Sequence, residues 1–481
     1  MSKTLSTGPN PMLNFPCTLP ALVAAALLAG CSMIPAYERP GSPVAASFPG
    51  DAIASANSPA AAEIPWQQFF KDARLKRLLE LALQNNRDLR VAVLNIEQTR
   101  AQLQLRRADE LPTLNAGMFG SRVPASGGGI SSAYSAGLSV TSYELDFFGR
   151  VRALGQAAQA QLLGTEEARK TVQIALIASV ANTYLSLLVD DELLRVTRDT
   201  LDTRVSSLKL TRLKFDNGAA SQLDVTQFES LLEGAKVSLA QLMRQRAQDE
   251  NALVLLLGQP LPTDLPVGLS IPEQALVLDL PAGLPSDLLI RRPDVRQAEQ
   301  VLLANHANIG AARAAFFPRI TLTGSVGIAS TELSSLFSNG AMAWTFAPQL
   351  LLPIFDAGRN QANFSAAQVG RDIAVAQYEK AIQSAFREVS DALAGRATLG
   401  EQLRAQAAQL AAEETRGRLT ELRFRHGAAS SLEVLDAQRS LFAAQQALLQ
   451  VQLLQVQNWV TLYKVLGGGW KDDAAQPATG K

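Results

Sequence analysis

The sequence predicts an α+β membrane protein: four β-strands per chain form part of a barrel, very long α-helices continue from them, and the whole is an internal tandem repeat. Three observations predict it. A set of motifs recurs at one offset, four segments alternate apolar and small polar residues with period two, and two stretches of more than a hundred residues contain no proline.

The repeat comes first because it organises everything else. Phe215-Asp216-Asn217-Gly218-Ala219-Ala220-Ser221-Gln222-Leu223-Asp224-Val225 returns 209 residues later as Phe424-Arg425-His426-Gly427-Ala428-Ala429-Ser430-Ser431-Leu432-Glu433-Val434. Gly149-Arg150 and Gly358-Arg359 keep the same offset, as do Leu257-Gly258 and Leu466-Gly467, whereas Leu111-Pro112 and Phe317-Pro318 stand 206 apart. The second copy therefore gains three residues between these anchors, which we assign to a loop. Each copy reads as helix, strand, strand, very long helix, reverse turn, helix.

The strands rest on alternation. Ile320, Leu322, Gly324, Val326 and Ile328 oppose Thr321, Thr323, Ser325, Gly327 and Ala329; Tyr134, Ala136, Leu138 and Val140 oppose Ser135, Gly137, Ser139 and Thr141. Trp344, Phe346, Leu350, Leu352 and Ile354 share one face of a fourth strand, and Leu114, Ala116 and Met118 mark a first that Phe119 interrupts. One face apolar and the other small and polar suits a soluble sandwich or a transmembrane barrel equally. Length favours the barrel, since strands of about 10 residues cross a tilted bilayer. The connections Pro124 to Ala133 and Ser330 to Ala343 are rich in glycine, serine and alanine, as exposed loops are. Four strands leave two open edges, which lipid does not tolerate, so other copies must close them as a dimer, trimer or tetramer.

The helices rest on missing breakers. No proline lies between Arg150 and Gln259 or between Arg359 and Gln476, and Arg150 to Gly218 as one helix would extend roughly 100 Å at ~1.5 Å per residue. Val172, Leu176, Val180, Thr183 and Leu187 line one face, as side-by-side helices require. No run of about 18 uninterrupted apolar residues argues for a membrane-spanning helix.

The N-terminus supplies the compartment. Lys3 and the apolar stretch Ala21 to Leu28 lead into Leu28-Ala29-Gly30-Cys31, the pattern of a lipobox, in which the cysteine thiol takes a diacylglyceryl group and becomes residue one. Ser32, rather than aspartate, follows it, which favours the outer membrane over inner-membrane retention. Cys17 falls in the removed segment, so the mature chain has no disulfide. Residues 1–30 are thus a signal peptide and 31–70 a lipid-anchored tether. Residues 71–258 and 286–467 are the two repeats, with β-hairpins at 113–145 and 319–355, and 259–285 is the connector. Residues 468–481 are a C-terminal tail, without order beyond Trp470.

Composition excludes several functions. Lysine plus arginine equals aspartate plus glutamate at 44 each, so no net field attracts nucleic acid. No Gly-x-Ser-x-Gly, His-Glu-x-x-His or phosphate-binding glycine loop occurs, and the two histidines, His306 and His426, read as helix and turn residues rather than metal ligands. We expect no enzyme, no metal site and no cofactor beyond the N-acyl and S-diacylglycerol lipid on Cys31. A lipid-anchored coiled-coil scaffold remains the non-channel alternative.

Over nearly its whole mature length the chain resembles the TolC-like outer-membrane efflux family, in particular its lipoproteins that serve RND multidrug pumps. The resemblance is carried by Cys31-Ser32-Met33-Ile34-Pro35-Ala36-Tyr37, Gly283-Leu284-Pro285-Ser286-Asp287-Leu288-Leu289-Ile290-Arg291-Arg292-Pro293-Asp294, Ala311-Ala312-Arg313-Ala314-Ala315-Phe316-Phe317-Pro318 and Leu435-Asp436-Ala437-Gln438-Arg439-Ser440-Leu441. It implies a homotrimer with a 12-stranded barrel in outer-membrane lipid and a 12-helix periplasmic tunnel. It also implies two partners, a periplasmic membrane-fusion adaptor and an inner-membrane RND transporter. Ducts for protein secretion or metal efflux are the nearest alternatives.

The resemblance further implies a periplasmic gate at Leu432, Glu433 and Asp436, and adaptor-contact tips at Gly218, Ala219, Ser221, Gly427, Ala428 and Ser430. Glu433 and Asp436 share a helix face, while their first-repeat counterparts are Asp224 and Gln227. Rings of carboxylates would raise one another's pKa and attract cations. Without the resemblance, the same pair reads as a solvated face bonded to Arg439.

Overall fold

The computed structural model describes residues 32–48, 61–274, 291–338 and 341–470. The signal segment with Cys17, the acylation site Cys31, residues 275–285 of the connector and the tail beyond Trp470 lie outside the described residues. The major elements are α1 (Ala73–Asn85), α2 (Arg87–Ala108), β1 (Leu114–Pro124), β2 (Ile130–Leu145), α3 (Arg150–Asp216) and α4 (Gln222–Leu257). After the connector come α5 (Pro293–Ala314), β3 (Arg319–Ser330), β4 (Ala341–Leu351), α6 (Arg359–Arg425) and α7 (Ser431–Val465). Helices α3 and α6 each have 67 residues and begin 209 positions apart; α2 and α5 each have 22 and begin 206 apart. The chain divides into two compact units, one of residues 1–38, 100–161 and 301–374, the other of 39–99, 162–300 and 375–481.

The first unit is built on one antiparallel sheet of order β1-β2-β3-β4. Its register turns sequence alternation into rows. Ala116, Leu138, Val326 and Trp344 stand opposite one another across all four strands, and one step along, Asn115, Ser139, Ser325 and Thr345 do the same. The polar row is bonded where Ser325 Oγ meets Thr345 Oγ1 at 2.8 Å. The apolar row meets no core, for Trp344 is 70% exposed, and Leu114, Met118, Met342, Phe346 and Leu350 are exposed with it. Among the described residues, backbone groups along the outer sides of β1 and β4 have no strand beside them.

Three details differ from expectation. Strand β1 runs through Phe119 to Pro124 and β2 starts at Ile130, so the first hairpin loop is shorter than Pro124 to Ala133. Strand β4 stops at Leu351, which pairs with Arg319, the first residue of β3; Leu352 and Ile354 have no partner strand, and Pro353 has no N–H to offer. The register of β2 on β3 also shifts between Val140 and Tyr143, a bulge with Ser142 at φ 53° that no alternation pattern signals.

Below the sheet, Glu144 accepts Arg150 through two hydrogen bonds of 2.8 and 2.7 Å and Arg319 at 2.7 Å, joining the first residue of α3 to the first of β3. Gly137 and Gly327 face each other in register with no room for a Cβ on either. Gly327→Val should therefore cost about 3 kcal/mol through overpacking and lower the temperature at which the sheet's circular dichroism signal is lost. Gly324→Ala, whose Cβ would make an ordinary 3.4 Å contact, should not.

The second unit is helical, and its core reaches into the segment assigned to a tether. Ala61, Ile64, Trp66, Phe69 and Phe70 are buried. Phe69 stacks on Tyr463 at 4.0 Å between ring centroids, and the Tyr463 hydroxyl donates to Ile64 O at 2.6 Å. The tether boundary at residue 70 therefore falls inside packed structure. The expected tail is likewise packed as far as Gly469, whose carbonyl accepts Gln173 Nε2. Arg292 binds Asp294, Glu388 and Val465 O.

Helix α3 does contain a stretch apolar and long enough to cross a membrane, contrary to the reading from uninterrupted runs, but 56% of it is buried within the protein. Val180 and Ala181 are fully buried there, and Gln457 of α7 donates to Asn182 O and Ser186 Oγ. A helix half-covered by its neighbours is a core helix.

Asp190 of α3 is 6% exposed, and one of its carboxylate oxygens has no hydrogen-bond partner. Burial and then the adjoining Asp249 carboxyl push its pKa up, Asp191 adds to the rise, and Arg246, bonded to Asp191 and Glu250, opposes it. The folded chain thus keeps a proton that the unfolded chain releases near pH 4, so this contribution to stability is fully present in acid and is lost as pH rises towards neutrality. Asp190→Asn should flatten that slope and raise the urea midpoint at pH 8 above wild type. An unchanged slope between pH 5 and 8 would refute the assignment.

Candidate functional site at the helical turns

The two reverse turns fold by one mechanism. Gly218 at φ 72° follows α3, donates to Phe215 O at 2.9 Å, and is followed by Ala219 N donating to Lys214 O at 2.7 Å. Gly427 at φ 73° donates to Phe424 O, and Ala428 N to Arg423 O at 2.8 Å. This double closure of the helix end needs a left-handed residue, which glycine supplies without a Cβ penalty. Ser221 and Ser430 then cap the next helices. Ser221 Oγ accepts Asp224 N at 3.1 Å while Asp224 accepts Ser221 N at 2.9 Å; Ser430 and Glu433 repeat the exchange at 3.3 and 3.0 Å.

The turns of one chain are tied to each other. Ser431 Oγ donates to Asp224 Oδ1, and beneath them Leu208, Val225, Phe228, Leu232 and Leu435 form a common apolar cluster. Gly218, Ala219, Gly427 and Ala428 are thereby presented on two bonded turns, with Ser221 and Ser430 as the caps that fix them.

The three residues assigned to the gate differ in role. Leu432 is 63% exposed, at the start of α7. Glu433 is committed to its cap, with Arg423 at 3.6 Å. The Ser430 backbone N–H, then its hydroxyl, hold the Glu433 carboxyl of a single chain below the usual carboxylate range. Asp436 pairs at 2.5 Å with Arg416 of α6, not with Arg439. Arg416 was missed by sequence reasoning although a signal existed: Arg416 and Asp436 are equidistant from His426 at the turn, and residues so placed face each other in a helical hairpin.

The chain is similar to known proteins in sequence and in fold. A family model described as "Outer membrane efflux protein" matches residues 78–259 and again 284–468. The chain belongs to the outer membrane efflux protein family. It is 49% identical over 464 residues to the probable efflux pump outer membrane protein TtgC of Pseudomonas putida, covering 94% of this chain and 96% of that one. It is 44% identical to the outer membrane protein OprJ of Pseudomonas aeruginosa, again covering 94% and 96%. The open-state crystal structure of the Neisseria gonorrhoeae MtrE outer membrane channel is similar at a TM-score of 0.85 and 42% identity, covering 93% of this chain and all of that one. Members of the outer membrane efflux family are channels, and this chain accordingly resides in the outer membrane as the efflux component there.

Proposed function

We propose that three copies of the chain form the exit duct of a tripartite RND-type multidrug efflux pump. Together they would give a 12-stranded barrel continued by a helical periplasmic tunnel. The duct conducts passively what an inner-membrane transporter delivers through a periplasmic adaptor, and lipid on Cys31 anchors it. The observation that carries this reading is incompleteness: β1 and β4 are open edges, and no residue of α6 from 394 to 425 is buried in one chain. A helical stretch of that length with no buried side chain gains its stability from neighbours, and lipid excludes open strand edges. The equal lengths of α3 and α6 support a duplicated ancestor.

The tips at Gly218, Ala219 and Ser221 and at Gly427, Ala428 and Ser430 are the docking points for the adaptor in this reading, and Leu432, Glu433 and Asp436 line the narrow end. Deleting the gene should raise drug susceptibility, and the full chain should restore resistance and co-purify an adaptor and an inner-membrane transporter. Unchanged susceptibility with no co-purifying partner would count against the reading.

A further inference from the structure

Between α3 and α7, close to the turns, lies a cavity of about 180 Å³ walled by Arg204, Gln438, Phe442 and Thr200. Arg204 is 4% exposed within a single chain, so it is interior before any second copy packs. Its Nη1 donates to Leu231 O at 2.7 Å, and the guanidinium lies 5.1 Å from the Phe442 ring centroid, but its buried Nε–H has no acceptor. Among the described residues no carboxylate pairs with it. Asp199, which also lines the cavity, is bonded to Arg195 at 2.8 Å, and Arg195 to Glu192 at 2.6 Å. The charged neighbour that does act on Arg204 is another cation, Arg439.

A buried guanidinium with no counter-charge and a second arginine beside it is several kcal/mol out of balance, and the cavity beside it has room for what is missing. Gln438 completes the wall. Its Oε1 is buried without a partner while its Nε2 donates to Ser207 Oγ at 3.2 Å. Turning that amide over lets Ser207 donate to Oε1 and frees Nε2–H as a second donor. An arginine and an amide with unused buried hydrogen-bonding capacity, both lining one partly open cavity, supply the donor chemistry of oxyanion recognition.

We propose that this cavity binds a small oxyanion such as inorganic phosphate, held by Arg204 and Gln438. Gln438 faces α3 while Asp436, two residues earlier on α7, faces α6, so the bound ion braces α7 against α3 in the same helical turn as the Arg416 pair. The site is independent of which compound the channel carries.

Calorimetric titration of the purified full-length protein with inorganic phosphate, at fixed ionic strength and with chloride as control, should give saturable binding of one ion per chain. Arg204→Met should weaken it at least tenfold. In phosphate-free buffer the same variant should be no less stable than wild type, because it removes a buried charge, and phosphate should then stabilise only the wild type. Absence of saturable binding to wild type overturns the proposal. So does binding that survives in Arg204→Met, which means an adventitious ion only. A loss of stability in Arg204→Met that is equal with and without phosphate also overturns it, since a carboxylate of a neighbouring copy then occupies the cavity.

Discussion

Replacing Asp72 by alanine should destabilise the second unit by about 4 kcal/mol, summing a lost helix cap of ~1 and buried groups left unpaired at ~1–3 each. Asp72 is fully buried and accepts five hydrogen bonds. Arg74 N at 2.8 Å and Leu75 N at 3.3 Å are the orphan donors at the start of α1. The Tyr184 hydroxyl at 2.9 Å belongs to α3, and Leu269 N at 3.1 Å and Gln274 Nε2 at 2.7 Å belong to the connector. One carboxylate therefore holds α1, α3 and the segment that joins the repeats. Its removal strands donors that burial keeps from water. The urea midpoint should fall and proteolysis within residues 259–274 should increase, whereas Asp72→Asn, which keeps an acceptor oxygen, should lose less. Equal stability of wild type and Asp72→Ala would show that the connector is held by something else.

The second large effect concerns Asp436. Its ion pair with Arg416 is exposed on both sides, and a pair of that kind is worth about 0–1 kcal/mol. In the proposed trimer three such pairs would together reach as much as ~3 kcal/mol, enough to move a proposed closed–open balance more than tenfold, since ~1.4 kcal/mol is a factor of ten. Asp436→Ala should accordingly raise single-channel conductance in planar bilayers and reduce preference for cations, because it removes both the latch to α6 and three negative charges. Arg416→Ala removes the latch and keeps the carboxylates, so conductance should rise while cation preference stays. Unchanged conductance in both variants would count against the proposed gate role of Asp436. Glu433→Ala should act differently, through loss of its capping exchange with Ser430, as a fraying of α7 more than as a change of charge.

Much of this was legible in the sequence, for reasons particular to each element. Long helices could be read because proline is absent from Arg150 to Gln259, and α3 runs 67 residues, through Gly155 and Gly164, to the turn at Gly218. The turns could be read because Gly218 and Gly427 are followed by serine and, three residues on, an acid, which is the local code of a cap. Strand faces followed from alternation, since side-chain period and register are one property. What escaped depends on residues far apart in the chain. Nothing near Asp72 announces Tyr184 or Gln274, the end of β4 is set by where β3 begins, and Arg204 becomes unusual only once α7 covers it. The boundary of the 31–70 tether was set too late because alanine, serine and proline from Ser32 to Pro65 suggested a spacer, while Ala61, Trp66 and Phe69 are core residues.

One chain supplies an incomplete wall, which in the proposed assembly identical copies complete. Native mass spectrometry of the protein released from detergent counts those copies directly. Three chains per particle, and none smaller at the same conditions, is the predicted result. A particle of one, two or four chains would contradict the account, because the sheet and α6 would then be closed by some other arrangement.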